Sequence, residues 1–268
     1  MQGSGAVAVS EDVDLGGGFV LTCAPGEEAL IVATALNGTG ALGFASPPEV
    51  DARLDADAFA WVSRSNAMRG LRMRSLDQVH GSLCVPAGAV EATNSADAAW
   101  TASPDDLLII RTADCAALWL VDPQRGQMAM VHAGWRGAAD GVIEHTIGAL
   151  RAQGTKPADI VVAIGPHIGP CCFEVGPEVA TRFAGVAGAV RPASELTAPR
   201  QRADSFSLAL GVVLVRALED EGVPGDSIHA ATACTRCSRA AGGEPLLHSY
   251  RRNGKGGPLM GSVGLLQR

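Results

Sequence analysis

QMAMVHAGWRGAADGVIEHTIGALRAQG (127–154) decides the fold class. Residues 127–131 read as a short apolar strand, and His132-Ala133-Gly134-Trp135-Arg136-Gly137 turns the chain out of it. From about 138 to 153 the spacing becomes helical. Ile143, Ile147 and Leu150 line one face, and Gly154 stands where a helix cap belongs. Working outward, the apolar runs 107–111 and 117–121 flank Thr112-Ala113-Asp114-Cys115, and 160–164 reads as a strand ending in the Gly/Pro loop 165–170. Residues 29–35 read as a buried strand, 51–67 as a helix, and 71–79 as a strand leading to His80. A second long helix is expected over 205–221, where Phe206, Leu210, Val213, Leu214, Ala217 and Leu218 follow helical spacing ahead of Gly222 and Pro224. Residues 184–202 read as a flexible loop, and 246–250 with 259–265 as a closing hairpin across Asn253-Gly254.

These elements predict one α+β domain, with mixed β-sheets flanked by helices, over residues 29–268. A loose Gly-rich lead-in is expected over 1–28. The chain has 268 residues, enough to bury roughly 70% of its unfolded surface. Its residues are 47% hydrophobic and 18% charged, which excludes wholesale disorder. Aromatics are only 4%, so Val, Leu, Ile and Ala must fill the core. A net charge of -7 argues against nucleic acid and anionic membranes as partners. The first ten residues have no basic group and no apolar run, and seven cysteines lack a secreted framework's spacing. Both point to the cytoplasm.

Three metal-ligating side chains recur at the ends of expected strands: His80, Cys115 and His132. Small residues beside each (Gly81, Ala113, Ala133 and Gly134) allow close approach. Two histidines and a cysteine suit a catalytic zinc with an open fourth position, where a bound water is acidified. The residues alone leave two alternatives: buried core side chains, or Cys115 as a thiolate nucleophile with His132 or His80 as its base. Cys234 and Cys237 form a lone CxxC without a second pair for structural zinc, so simple thiols are expected. Cys171-Cys172 read as packing, His145 as solvent-facing, and His167 as a loop residue near the site.

DQVHG (77–81), ADAAWT (96–101), TADC (112–115), VHAGWRGAADGVIE (131–144), IGPHIGPCCFEVGPEV (164–179) and HSYRRNG (248–254) occur in this order. Together they resemble the multicopper polyphenol oxidase (laccase)-like family, which includes peptidoglycan editing factor and zinc-dependent purine nucleoside phosphorylases. The resemblance covers roughly residues 70–265. It implies that His80, Cys115 and His132 are the catalytic zinc site. The implied activity is phosphorolysis of adenosine, inosine, guanosine and methylthioadenosine, with some adenosine deamination. A true laccase needs several copper sites, and the six histidines here include no HxH pair.

Phosphorolysis requires an anion beside the ribose, and Arg136, Arg251 and Arg252 are the expected holders, because guanidinium forks match phosphate oxygens. Asp114 is expected either to orient a ligand histidine or to cap its turn. Gln78 is a further pocket candidate. The chain departs from the family in two places. Residues 33–38 lack the arginine of the usual Ser-Thr-Arg opening, and His248 and Asn253 replace a phenylalanine and an aspartate. The rival functions are a peptidoglycan-precursor editing hydrolase and a Cys115-dependent cysteine hydrolase.

Overall fold

The computed structural model describes residues 72–92, 95–197, 202–239 and 242–254, and the backbone of five further strands at 11–16, 19–23, 31–35, 40–45 and 260–265. The first strands are β1 (Glu11–Gly16), β2 (Phe19–Cys23), β3 (Ile31–Ala35), β4 (Gly40–Ala45) and β5 (Arg72–Ser75). They are followed by β6 (Cys84–Pro86), β7 (Ala98–Thr101), β8 (Asp106–Thr112), β9 (Ala116–Asp122) and β10 (Gln127–Ala133). Helices α1 (Trp135–Ala139) and α2 (Val142–Ala152) come next, then β11 (Val161–Ile164), β12 (Glu174–Val175) and α3 (Pro177–Arg182). The chain continues through β13 (Val190–Pro192), β14 (Phe206–Leu208), α4 (Leu210–Asp220) and β15 (Ile228–Ala230). It closes with α5 (Tyr250–Asn253) and β16 (Met260–Leu265).

The strands form three sheets: β1-β2-β3-β4-β16-β8-β5, β15-β11-β9-β10-β7-β6, and β12-β14-β13. Most pairs are antiparallel, and β5 with β8, β6 with β7 and β11 with β15 run parallel. This is the expected α+β architecture with mixed sheets. Every residue of β9 and β10 is buried, and strand alternation sorts their side chains into two cores. Leu118, Leu120, Ala129 and Val131 pack with Ile143, Ile147 and Leu150 of α2 and with Val213, Leu214 and Leu218 of α4. Trp119, Val121, Met128 and Met130 face the other way, onto Leu108 and Ile110 of β8. The six-stranded sheet is therefore the middle layer, between the helices and the seven-stranded sheet.

Several elements differ from expectation. Residues 1–28 contain β1 and β2, whose apolar positions are masked in composition by the surrounding glycines. The helix expected over 138–153 is two helices parted at Asp140-Gly141, where Gly141 takes a left-handed φ of 85°. The helix expected from 205 begins only at Leu210, because Phe206–Leu208 pairs with β12 and β13. Within 184–202, read as loop, lies β13. The closing hairpin does not form: Tyr250–Asn253 is helical, and β16 pairs with β4 and β8. The helix expected over 51–67 lies outside the described residues. No helix among the described residues is long and apolar enough to cross a membrane.

Candidate active site

Register places three side chains at one end of the central sheet. His132 pairs with Ala117 and Ala133 with Ala116, which puts Cys115 one step past the β9 ladder. On the other side of β10, Val131 pairs with Ala98, and the His132 N–H donates to Asp97 O at 2.7 Å. Cys115, His132 and Asp97 are thus neighbours on adjacent strands. His80 arrives from the segment after β5, with an unusual φ of 61°. Asp97 holds that segment. Its carboxylate accepts the N–H groups of Gly81 (2.6 Å), His80 (2.9 Å) and Val79 (3.2 Å).

The same carboxylate meets His132 Nδ1 at 2.7 Å, leaving Nε2 to face the site. The ligand atoms of His80, Cys115 and His132 all lie within 4.8 Å of one another, a grouping that could hold a metal ion. The two imidazoles meet edge to face, with centroids 4.8 Å apart. Burial works to raise the Cys115 thiol, but hydrogen bonding and charge from His132 and His80 outweigh it and lower the pKa to about 7. Burial works to lower His132, but Asp97 and Cys115 raise it to about 9. Burial likewise opposes charge on Asp97, yet His132, Gly81 and Val79 hold its carboxyl below the usual carboxylate range. One soft sulfur and two imidazole nitrogens, one of them on a histidine oriented by a carboxylate, fit a metal centre.

Two glycines of HAGWRG make the approach possible. A Cβ on Gly134 would stand 2.8 Å from Cys115 Sγ, and one on Gly137 would stand 2.6 Å from the Gly81 carbonyl oxygen. Above the cluster opens a cavity of about 650 Å³, lined by Gln78, His80, Asp114, Cys115, His132, Arg136 and Arg251. Trp135, Phe173 and Tyr250 supply flat apolar walls, and Arg111 also reaches the cavity. Arg136 lies over Trp135 at 4.5 Å, and Arg251 lies over Phe173 at 5.5 Å.

Other expected roles change. Arg252 is absent from the cavity lining, because its guanidinium donates to the carbonyls of Thr235, Arg236 and Leu247. The Gln78 amide is occupied by the Arg111 backbone, donating at 2.6 Å and accepting at 2.7 Å, so it clamps β8 to the His80 segment. Asp114, at φ 88°, accepts from Thr235 Oγ1 and from the Arg251 N–H, each at 2.6 Å. The carboxylate that orients a histidine is Asp97. Asp97 is not among the expected site residues; its one local mark is an acid immediately ahead of an apolar strand, in ADAAWT (96–101).

His145 is exposed, as expected. His167 is buried and lines a different cavity of about 960 Å³ beside α4. His248, where the family has phenylalanine, has a buried Nε2 without a hydrogen-bond partner among the described residues. Burial, helped by the Arg252 charge, lowers its pKa.

The α+β fold thus gathers a His/Cys cluster that could hold a metal ion beneath an arginine-rimmed cavity. Residues 56–266 match the family described as "Multi-copper polyphenol oxidoreductase laccase", and the chain belongs to that family. A purine nucleoside phosphorylase of Pseudomonas aeruginosa is 36% identical over 192 residues, covering 71% of this chain and 73% of that protein. Purine nucleoside phosphorylase YlmD of Geobacillus stearothermophilus is 34% identical over 179 residues, covering 65% of this chain and 61% of that protein. The crystal structure of YlmD from the same organism shares the fold, with a TM-score of 0.72 at 24% identity over 88% of this chain and 96% of that one.

Proposed function

We propose that this chain is a zinc-dependent purine nucleoside phosphorylase of the cytoplasm, with adenosine deamination as a second activity. The observation that carries the reading is the His80, Cys115 and His132 cluster at the floor of the arginine-rimmed cavity. Relatives named purine nucleoside phosphorylases support it. His80, Cys115 and His132 would hold the metal, whose chemistry when bound is Lewis-acid polarisation and acidification of water. Arg136 and Arg251 present guanidinium groups to phosphate, and Arg251 is aimed by its bond to Glu174 O at 3.0 Å. Trp135, Phe173 and Tyr250 offer faces on which a purine stacks. In phosphorolysis a phosphate oxygen bonds to ribose C1′ while the C1′–N9 bond breaks, and its electron pair leaves with the purine.

One observation favours a second reading. Cys115 lowered to about 7 beside His132 raised to about 9 also describes a thiolate–imidazolium nucleophile. Purified protein incubated with adenosine, with and without phosphate, separates the readings when wild type, Cys115→Ala and a chelated sample run in parallel. The expected result is adenine only with phosphate, lost in the variant and on chelation. Inosine without phosphate would assign deamination. Activity that survives chelation but not Cys115→Ala would replace zinc chemistry with thiol chemistry. No product from any nucleoside would direct the search to cell-wall precursors.

A further inference from the structure

The CxxC of Cys234 and Cys237, alone in the sequence, is not alone in space. Cys171 and Cys172 stand against it, and the four sulfurs all lie within 4.8 Å of one another. Cys171 Sγ and Cys237 Sγ are 3.5 Å apart, although 66 positions separate them. A tetrahedral zinc with Zn–S near 2.3 Å sets its sulfurs about 3.8 Å apart, so the group needs only small adjustments to close on one ion. Backbone pairing brings the loops together. His167 and Cys234 form an isolated parallel bridge, and the Thr235 N–H donates to His167 O at 3.2 Å. Gly169 makes room, because a Cβ there would sit 3.3 Å from both Cys171 Sγ and Cys234 Cβ.

The local backbone is already arranged for a charged sulfur. The Gly169 N–H donates to Cys234 Sγ at 3.2 Å, and the N–H groups of Cys237 and Arg236 are directed at the same sulfur. N–H groups gathered around the first cysteine of a CxxC suit a metal-bound thiolate better than a disulfide sulfur, which carries no charge for them to stabilise. Cys172 and Cys234 are buried, Cys171 is half-buried and Cys237 is exposed, so the group has one open side for entry of an ion. The four soft ligands with no nitrogen or oxygen select zinc over hard cations.

We propose that Cys171, Cys172, Cys234 and Cys237 form a second, tetrathiolate zinc site that is structural and separate from the His80–Cys115–His132 centre. Its closed donor set leaves no position for water, as a structural site requires. The ion ties the 165–173 loop to the 232–238 loop. From the second loop, the Thr235 hydroxyl reaches Asp114 beside Cys115, and the carbonyls of Thr235 and Arg236 hold Arg252 next to Arg251. The tetrathiolate site thereby supports one wall of the cavity.

The test is metal stoichiometry and X-ray absorption on the reduced full chain after zinc loading. Cys115→Ala, which removes a ligand only from the first centre, is expected to keep one zinc with an all-sulfur shell. Cys237→Ser, changed at the exposed ligand, is expected to lose that shell and keep the mixed nitrogen–sulfur one. Wild type showing a single, all-sulfur zinc would sustain this proposal while removing the metal from the proposed active site. A zinc-free Cys115→Ala protein with native circular dichroism would overturn it. So would a Cys171–Cys237 disulfide that persists under reducing conditions, detected by two missing alkylations in denatured protein.

Discussion

Asp97 joins two tasks that are normally divided between residues. One carboxylate fixes the His132 tautomer and also gathers the N–H groups of residues 79–81, which hold His80 in its left-handed conformation. Asp97→Asn is expected to weaken metal binding by about 10- to 100-fold, the usual range for loss of a carboxylate behind a ligand histidine. Competition with a chelating dye measures it, and unchanged affinity would remove Asp97 from this role. Gly134 makes a different demand. Its φ of -87° suits any residue, so its need is for space beside Cys115 Sγ. Gly134→Ala should therefore fold, yet lose metal affinity by displacing Cys115 or His80. A zinc titration on the folded variant reads this, and wild-type affinity would contradict it. At this scale the sequence exposes His80, Cys115 and His132, whose motifs are long and specific and whose ligand atoms the fold brings within 4.8 Å of one another. It hides Asp97, whose partners are mostly backbone groups, and it misplaces Arg252, whose partners are carbonyls that only the fold brings near.

Among the elements, the junction of β5 with β8 controls how the His80 segment enters the site. In this parallel pair Arg72 and Arg74 share a face, and both donate Nε to Asp106 Oδ1, at 2.9 and 3.2 Å. Thr101 Oγ1 donates to the other oxygen at 2.8 Å. Burial opposes charge on Asp106, but Arg72, Thr101 and Arg74 outweigh it and depress its pKa. A depressed carboxylate pKa stabilises the fold above the unfolded-state value, and that contribution is lost as pH falls through the folded-state value. Asp106→Asn is accordingly expected to be less stable than wild type at neutral pH, with the gap closing in acid. Urea unfolding across pH tests this, and a gap independent of pH would refute it. The elements also show where periodicity misleads. Helical spacing over 205–221 is satisfied by Leu210, Val213, Leu214 and Leu218 in α4, while Phe206 belongs to a strand pairing with distant partners. Asp140-Gly141 interrupts the other expected helix without interrupting its apolar face.

Across the whole molecule, the short apolar runs read over 117–121 and 127–131 have a plain cause: each face of β9 and β10 meets its own core, so both faces of these strands are apolar. Leu118, fully buried between the middle sheet and the helices, should cost about 2–5 kcal/mol of stability when changed to alanine. Chemical denaturation measures this, and a loss below that range would mean the helical layer closes over the cavity. The sheet order is less legible, since ladders between remote segments leave little trace in local spacing.

That order has a temporal meaning. β16 lies between β4 and β8, and among the described strands it alone joins the β1–β4 meander to β8 and β5. During synthesis the ribosome delivers the meander first and its keystone last. Until residues 260–265 emerge, the nascent chain carries two unjoined sheet edges, so the complete seven-stranded sheet is assembled only after nearly all the other described residues have been made.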